Sequence, residues 1–176
     1  MSRNLTILTS ETMKDIQNRI LSQNPKLNKN SIMVSSRALL FTIQLSSLLD
    51  SYFQSSGLSQ PGFLTLLILN TLCEREWTVL ELSEVIRVKP PTMTGILDTL
   101  EKEDLVIRKK SSRDRRIVTV ELSKSGKKKI RKIGPIHFSN IESAFGKLDE
   151  KFFKSQKKIM NKIEGAFLEF SRRGLK

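Results

Sequence analysis

Residues 78–122 read TVLELSEVIRVKPPTMTGILDTLEKEDLVIRKKSSRDRRIVTVEL. Thr78 followed three residues later by Glu81 is the signature of a reciprocal helix cap, and Val79, Leu82 and Ile86 then fall on one face of a short helix. That helix must stop near Ile86. Arg87-Val88-Lys89 form a tight turn into Pro90-Pro91, and two successive prolines are tolerated only at the start of a new helix. Met93, Ile96, Leu97 and Leu100 recur at i, i+3, i+4 and i+7, the buried stripe of that second helix. Pro91, Thr92, Thr94, Gly95, Asp98 and Thr99 lie outside or beside the stripe. Two short helices joined by a tight turn predict a helix-turn-helix.

A hairpin comes next in the chain. Residues 105–110 and 116–122 read as two strands separated by the polar connection SSRDR. In the second strand Val118, Val120 and Leu122 point one way and Ile117, Thr119 and Glu121 the other, so the first set is the expected buried face. The hairpin is also the most basic part of the chain. Residues 105–132 hold twelve Lys/Arg against two Asp/Glu, a net +10 within a whole-chain charge of +13. A sequence pI near 10.1 favours a polyanionic partner. Helix, turn, helix and basic hairpin in this order predict a winged helix-turn-helix, with the second helix in a DNA major groove and the hairpin tip in the adjacent minor groove.

Outward from this unit the pattern is helical. Residues 1–30 are polar, with a weak helical pattern through Met13, Ile16 and Ile20 that ends near Asn24-Pro25. Val34, Ala38, Phe41, Leu45, Leu48 and Tyr52 draw one stripe along a long helix, and Gly57 ends it. Ser59 then caps a helix with Pro61 in its first turn, apolar almost all round and hence central. After the hairpin, Ser123 caps a helix carrying KKKIRK that is expected to break at Gly134-Pro135. A last helix from about Leu148 is striped by Phe152, Ile159, Ile163, Phe167 and Phe170.

The totals exclude several classes. One cysteine, Cys73, permits no internal disulfide and no multi-thiolate zinc site, and is read as an inert, partly buried thiol. The start lacks a signal-peptide core. The most apolar run, FLTLLIL at 63–69, is far shorter than the roughly 20 residues a bilayer requires, so no membrane contact is expected and the chain reads as soluble and cytoplasmic. With no phosphate-binding glycine loop, nucleophile-elbow serine or metal-ligand spacing, neither enzyme activity nor a cofactor or metal is expected.

Across residues 58–130 the sequence resembles the MarR family of bacterial transcription regulators. The carriers are TVLELSEVIRVKPPTMTGILDTLEKEDLVIRK, similar to the family's recognition-helix region, and SSRDRRIVTVELSKSG, similar to its wing signature of Asp-x-Arg followed by a strand. The resemblance implies a mainly α fold with a small β-hairpin wing. A winged helix-turn-helix domain at 58–123 would be flanked by dimerisation helices at 31–57 and 124–176, with 1–30 as an extension without an assigned role. It implies a homodimer on double-stranded DNA, a repressor at a pseudo-palindromic operator, and release by a small aromatic or phenolic effector. Lys89, Thr92 and Thr94 would contact DNA from the recognition helix and Arg113, Arg115 and Arg116 from the wing, with Asp114 orienting Arg116. Gly95 departs from the pattern, standing where members often carry a larger side chain facing DNA, and Asp98 is expected to pair within the molecule. The alternative is a winged-helix module for nonspecific DNA coating or protein docking.

Overall fold

Thr78 and Glu81 close the reciprocal cap that their spacing predicts. In the computed structural model, which describes residues 10–111, 114 and 116–174, the Thr78 hydroxyl accepts from the Glu81 main-chain N–H at 3.2 Å. The Glu81 carboxylate accepts from the Thr78 N–H at 2.8 Å. In chain order the elements are α1 (Ser10–Gln23), α2 (Lys29–Gln54), α3 (Gln60–Thr71), β1 (Trp77–Thr78), α4 (Val79–Ile86) and α5 (Pro90–Lys102). Then come β2 (Val106–Lys110), β3 (Val118–Leu122), α6 (Lys124–Phe145) and α7 (Glu150–Arg173). The fold is mainly α with a small antiparallel sheet, and it divides into two units, Met1–Ile130 and Arg131–Lys176.

The core of the first unit lies where α3, α4, α5 and the sheet meet. Phe63, Leu66, Leu82, Met93 and Leu97 are fully buried there, with Val106, Val120 and Leu122 beneath them from the strands. Ser59 accepts from the Gly62 N–H at 3.1 Å and caps α3 as expected, ahead of Pro61. Trp77 is buried and its indole N–H donates to the Leu72 carbonyl at 3.1 Å, closing the turn between α3 and α4.

The sheet order is β1-β3-β2, so β3 is the central strand. Its burial departs from simple alternation. Val120 and Leu122 are buried as expected, but Val118 is 46% exposed while Thr119, assigned to the outer face, is 2% exposed. The physical reason is the two-residue β1, too short to announce itself by period. It pairs Trp77 with Val120 and Thr78 with Thr119, covering the middle of β3, while Val118 lies beyond its reach opposite Lys110.

Three further expectations are corrected. α6 runs unbroken through Pro135. One obstacle to a proline inside a helix is the clash between its ring and the preceding residue's Cβ, and Gly134 has none. Cys73 is exposed rather than partly buried. By length and composition α2 is apolar enough to cross a bilayer, because its serines and threonines weigh little against its leucines.

α2 buries Leu40 and Phe53 within the first unit, yet Val34, Phe41, Leu45 and Leu48 on its predicted stripe are exposed. α7, in the second unit, buries no residue and exposes Phe152, Ile159, Phe167 and Phe170.

The cap also predicts an acid response. The Thr78 main-chain N–H, then its hydroxyl, hold the Glu81 carboxyl below the usual carboxylate range, aided by Arg75. A carboxyl depressed on folding stabilises the fold above its ordinary value, and that contribution is lost as pH falls through the lowered value. Thr78→Ala should cost about 1 kcal/mol at neutral pH. Urea unfolding at about pH 7 and about pH 3 should show wild type losing more stability than the variant between the two. Equal losses would show that the Thr78 hydroxyl adds nothing to the main-chain N–H, which the variant keeps, in holding the Glu81 carboxylate.

Candidate nucleic-acid interface

Arg87 ends α4 in the left-handed conformation, φ 60°, and its N–H together with that of Val88 returns to the carbonyls of Glu84 and Ser83. The chain thereby turns directly into Lys89, the N-cap of α5, with Pro90 and Pro91 in the first helical turn. Neither proline carries an N–H, so the start of α5 offers fewer donors to an anion than a usual helix start. The exposed Lys89 supplies positive charge at that point. Met93, Leu97 and Leu100 anchor the inner face of α5 and leave Thr92, Thr94, Gly95, Asp98 and Thr99 exposed.

The hairpin is rooted on the same unit. The Ser111 N–H donates to the Ile117 carbonyl at 2.8 Å, and the Ser111 hydroxyl bonds the Glu76 carboxylate. Lys109 and Glu121 pair across the strands. At the tip, Asp114 Oδ1 accepts from the Arg116 main-chain N–H at 2.9 Å, and the Asp114 carbonyl accepts from Ile117 at 3.0 Å. Asp114 thus fixes Arg116 through the backbone, and the Arg116 side chain is exposed. Arg113 and Arg115 lie outside the described residues.

Arg108 joins the two elements. Its Nη1 donates to Glu101 Oε2 at 2.6 Å, and its Nη2 donates to Asp98 Oδ1 at 2.7 Å and to the Thr94 carbonyl at 3.3 Å. Asp98 therefore has the intramolecular partner expected of it. Arg108 itself was not singled out from sequence. The available signal was its place on the strand directly after α5, where a returning chain runs back along that helix and can meet acids seven and ten residues earlier.

Two acids that would repel phosphate are thus neutralised at a guanidinium only 23% exposed. What remains outward is a threonine-bearing helix face, Lys89 at its start, and a hairpin with exposed Lys110 and Arg116. Among the described residues, no group of three or more His, Cys, Asp or Glu is placed to hold a metal ion.

Residues 58–118, which run from the loop before α3 to the first residue of β3, match the model of the MarR family. Over 126 residues, covering 72% of this chain and 73% of the relative, the sequence is 28% identical to the HTH-type transcriptional repressor YetL of Bacillus subtilis (strain 168). Among solved structures, AbsC, a MarR family transcriptional regulator from Streptomyces coelicolor, superposes with a TM-score of 0.68 at 18% identity. That match covers 82% of this chain and 99% of AbsC. The DNA complex of MepR from Staphylococcus aureus gives a TM-score of 0.65 at 17% identity, covering 76% of this chain and 95% of MepR. The winged-helix segment of this chain is thus similar in sequence to the MarR family, and its fold is that of the solved MarR-family regulator AbsC.

Proposed function

We propose that this chain is a cytoplasmic, homodimeric transcriptional regulator that binds a pseudo-palindromic DNA site and represses from it. Each protomer lays α5 in a major groove and the 111–116 hairpin in the neighbouring minor groove. The observation that carries the reading is the Arg108 clamp, which silences the acids of α5 and ties it to the arginine-bearing hairpin. Lys89, Thr92 and Thr94 are the helix contacts, and Arg113, Arg115 and Arg116 the hairpin contacts. The repressor YetL and the DNA-bound MepR support the same reading by likeness.

Dimerisation is supported by exposed apolar side chains, Phe41 and Leu48 on α2 and Phe152, Phe167 and Phe170 on α7. A water-soluble monomer rarely leaves so much apolar surface in solvent, and a second copy would bury it. Release by a small aromatic or phenolic effector completes the proposal. A panel of such compounds should include one that lowers affinity for the bound duplex.

The test is binding to the chain's own upstream DNA against random duplex. A regulator should show a gap of about 10³ or more, whereas a ratio near unity favours a nonspecific architectural protein. In the same assay Arg116→Ala should weaken binding and reduce the slope of log affinity against log salt by about one. Unchanged affinity and slope would remove the hairpin from the interface.

A further inference from the structure

The outward face of α5 is unusual in what it lacks. Side chains that read purines by paired hydrogen bonds are arginine, lysine, asparagine and glutamine. Between Pro90 and Lys102 the helix holds no Arg, Asn or Gln, and its one lysine is the terminal Lys102. The acids that would accept from a cytosine amino group are engaged by Arg108.

Two of the three outward threonines have their hydroxyl protons engaged as well. The Thr94 hydroxyl donates to the Pro90 carbonyl at 3.1 Å and the Thr99 hydroxyl to the Gly95 carbonyl at 3.0 Å. A hydroxyl has a single proton, so neither is free to donate to a base acceptor, and the apolar part of each side chain is the methyl group. Between them Gly95 is bare, and an added Cβ there would meet nothing within 4 Å. The bare position opens onto a recess of about 330 Å³ lined by Thr92, Gly95, Ile96 and Thr99 from α5 and by Leu58 and Ser59 before α3.

We propose that α5 reads thymine by its 5-methyl group, with Thr92, Thr94 and Thr99 packing against methyls and Gly95 admitting the base edge close to the helix backbone. The inference rests on the reading that α5 enters a major groove. It deepens that reading by naming what is recognised there: thymine methyls, in place of guanine acceptors. Apolar contact with the thymine methyl is the chemistry favoured on a face that has no purine-reading side chain, whose acids are paired and whose Thr94 and Thr99 hydroxyl protons are spent.

The experiment starts from a duplex selected by the full-length protein out of a random pool. Each thymine facing α5 is then replaced by uracil, which lacks only the methyl. The change lies in the major groove and leaves the hairpin's minor-groove contacts intact. Each contacted thymine should lose about fourfold in affinity, the equivalent of about 0.8 kcal/mol per buried methyl.

Thr94→Ser, which keeps the hydroxyl and drops the methyl, should erase the preference for thymine over uracil at one position. Thr94→Val, which keeps the methyl, should retain it. Equal affinity for thymine and uracil duplexes, with a loss on replacing guanine by 7-deazaguanine, would overturn the proposal while leaving DNA binding by α5 in place. Failure to select any duplex over random DNA would overturn the proposed function itself, and this inference with it.

Discussion

Gly126→Ala should unfold much of the winged lobe at temperatures where wild type is stable. A Cβ at position 126 would stand 1.9 Å from the Leu105 carbonyl oxygen and 2.9 Å from its carbon, and both are backbone atoms that no rotamer change can move. The surroundings are fixed from several sides. Leu105 follows Asp104 in the left-handed region, φ 55°, its N–H donates to Leu100 at 2.8 Å, and its carbonyl accepts from Ser123 at 3.1 Å. Ser123 bonds the Asp104 carbonyl through its hydroxyl, which also accepts from the Gly126 N–H at 2.9 Å. Room for the methyl therefore comes only by pulling the start of β2 away from the start of α6.

Overpacking usually costs about 1–3 kcal/mol, and a backbone clash of this size belongs at or above the upper end, about 3 kcal/mol or more. For a chain of this length that is a fall in Tm of roughly 6–12 °C. Calorimetry or circular dichroism reads it. Gly95→Ala is the control, since its new methyl meets open space in an exposed helix and should stabilise by up to about 1 kcal/mol. Equal melting of Gly126→Ala and wild type would show that the α5–β2 turn yields freely.

Arg108→Ala should cripple DNA binding while leaving the fold in place. The guanidinium is all that stands between the Asp98 and Glu101 carboxylates and an approaching phosphate backbone, and its loss exposes two negative charges on the helix face. Asp98 and Glu101 are themselves about half exposed, so solvent screens part of the effect and the lower end of the range for broken charge pairs applies. A loss of roughly tenfold or more in affinity is expected, largest at low salt and shrinking as added ions screen the repulsion. Asp98→Asn with Glu101→Gln in the Arg108→Ala background should recover most of the loss, because the repelling charges are then gone. Fluorescence anisotropy across a salt series separates the outcomes. A deficit that the acid substitutions do not relieve would mean that Arg108 itself touches DNA.

The elements legible in the sequence are those whose signals are local. A cap three residues wide, two prolines that can only start a helix, and a stripe at 93, 96, 97 and 100 each carry their meaning within one or two turns, and α4 and α5 fall where they indicate. The hairpin was legible from alternation in 118–122, and so was the burial of Val120 and Leu122, but the exposure of Val118 and the burial of Thr119 were not. That depended on β1, two residues that pair across more than forty positions. Gly134-Pro135 reads as a helix break, yet α6 continues through it, with Gly134 removing part of the steric penalty.

Of the candidate site, Thr92 and Thr94 were read as lying outside the buried stripe and are exposed on α5, and Lys89, chosen from the turn before it, is exposed at the N-cap. Arg108 escaped because its role exists only once a strand has folded back along a helix. The stripes of α2 and α7 were read correctly as periodic, yet the period says nothing of what covers them, and many of their apolar side chains are exposed.

The clamp at Arg108 also bears on how the lobe meets a duplex. A reading helix and a probing hairpin fastened to each other before any DNA arrives keep little independent motion to surrender on docking, so association carries a smaller entropic penalty. On the docking proposed above, the same stiffness would make the lobe a gauge of fixed span, so that a site whose two grooves are out of step by a few ångströms would be bound weakly.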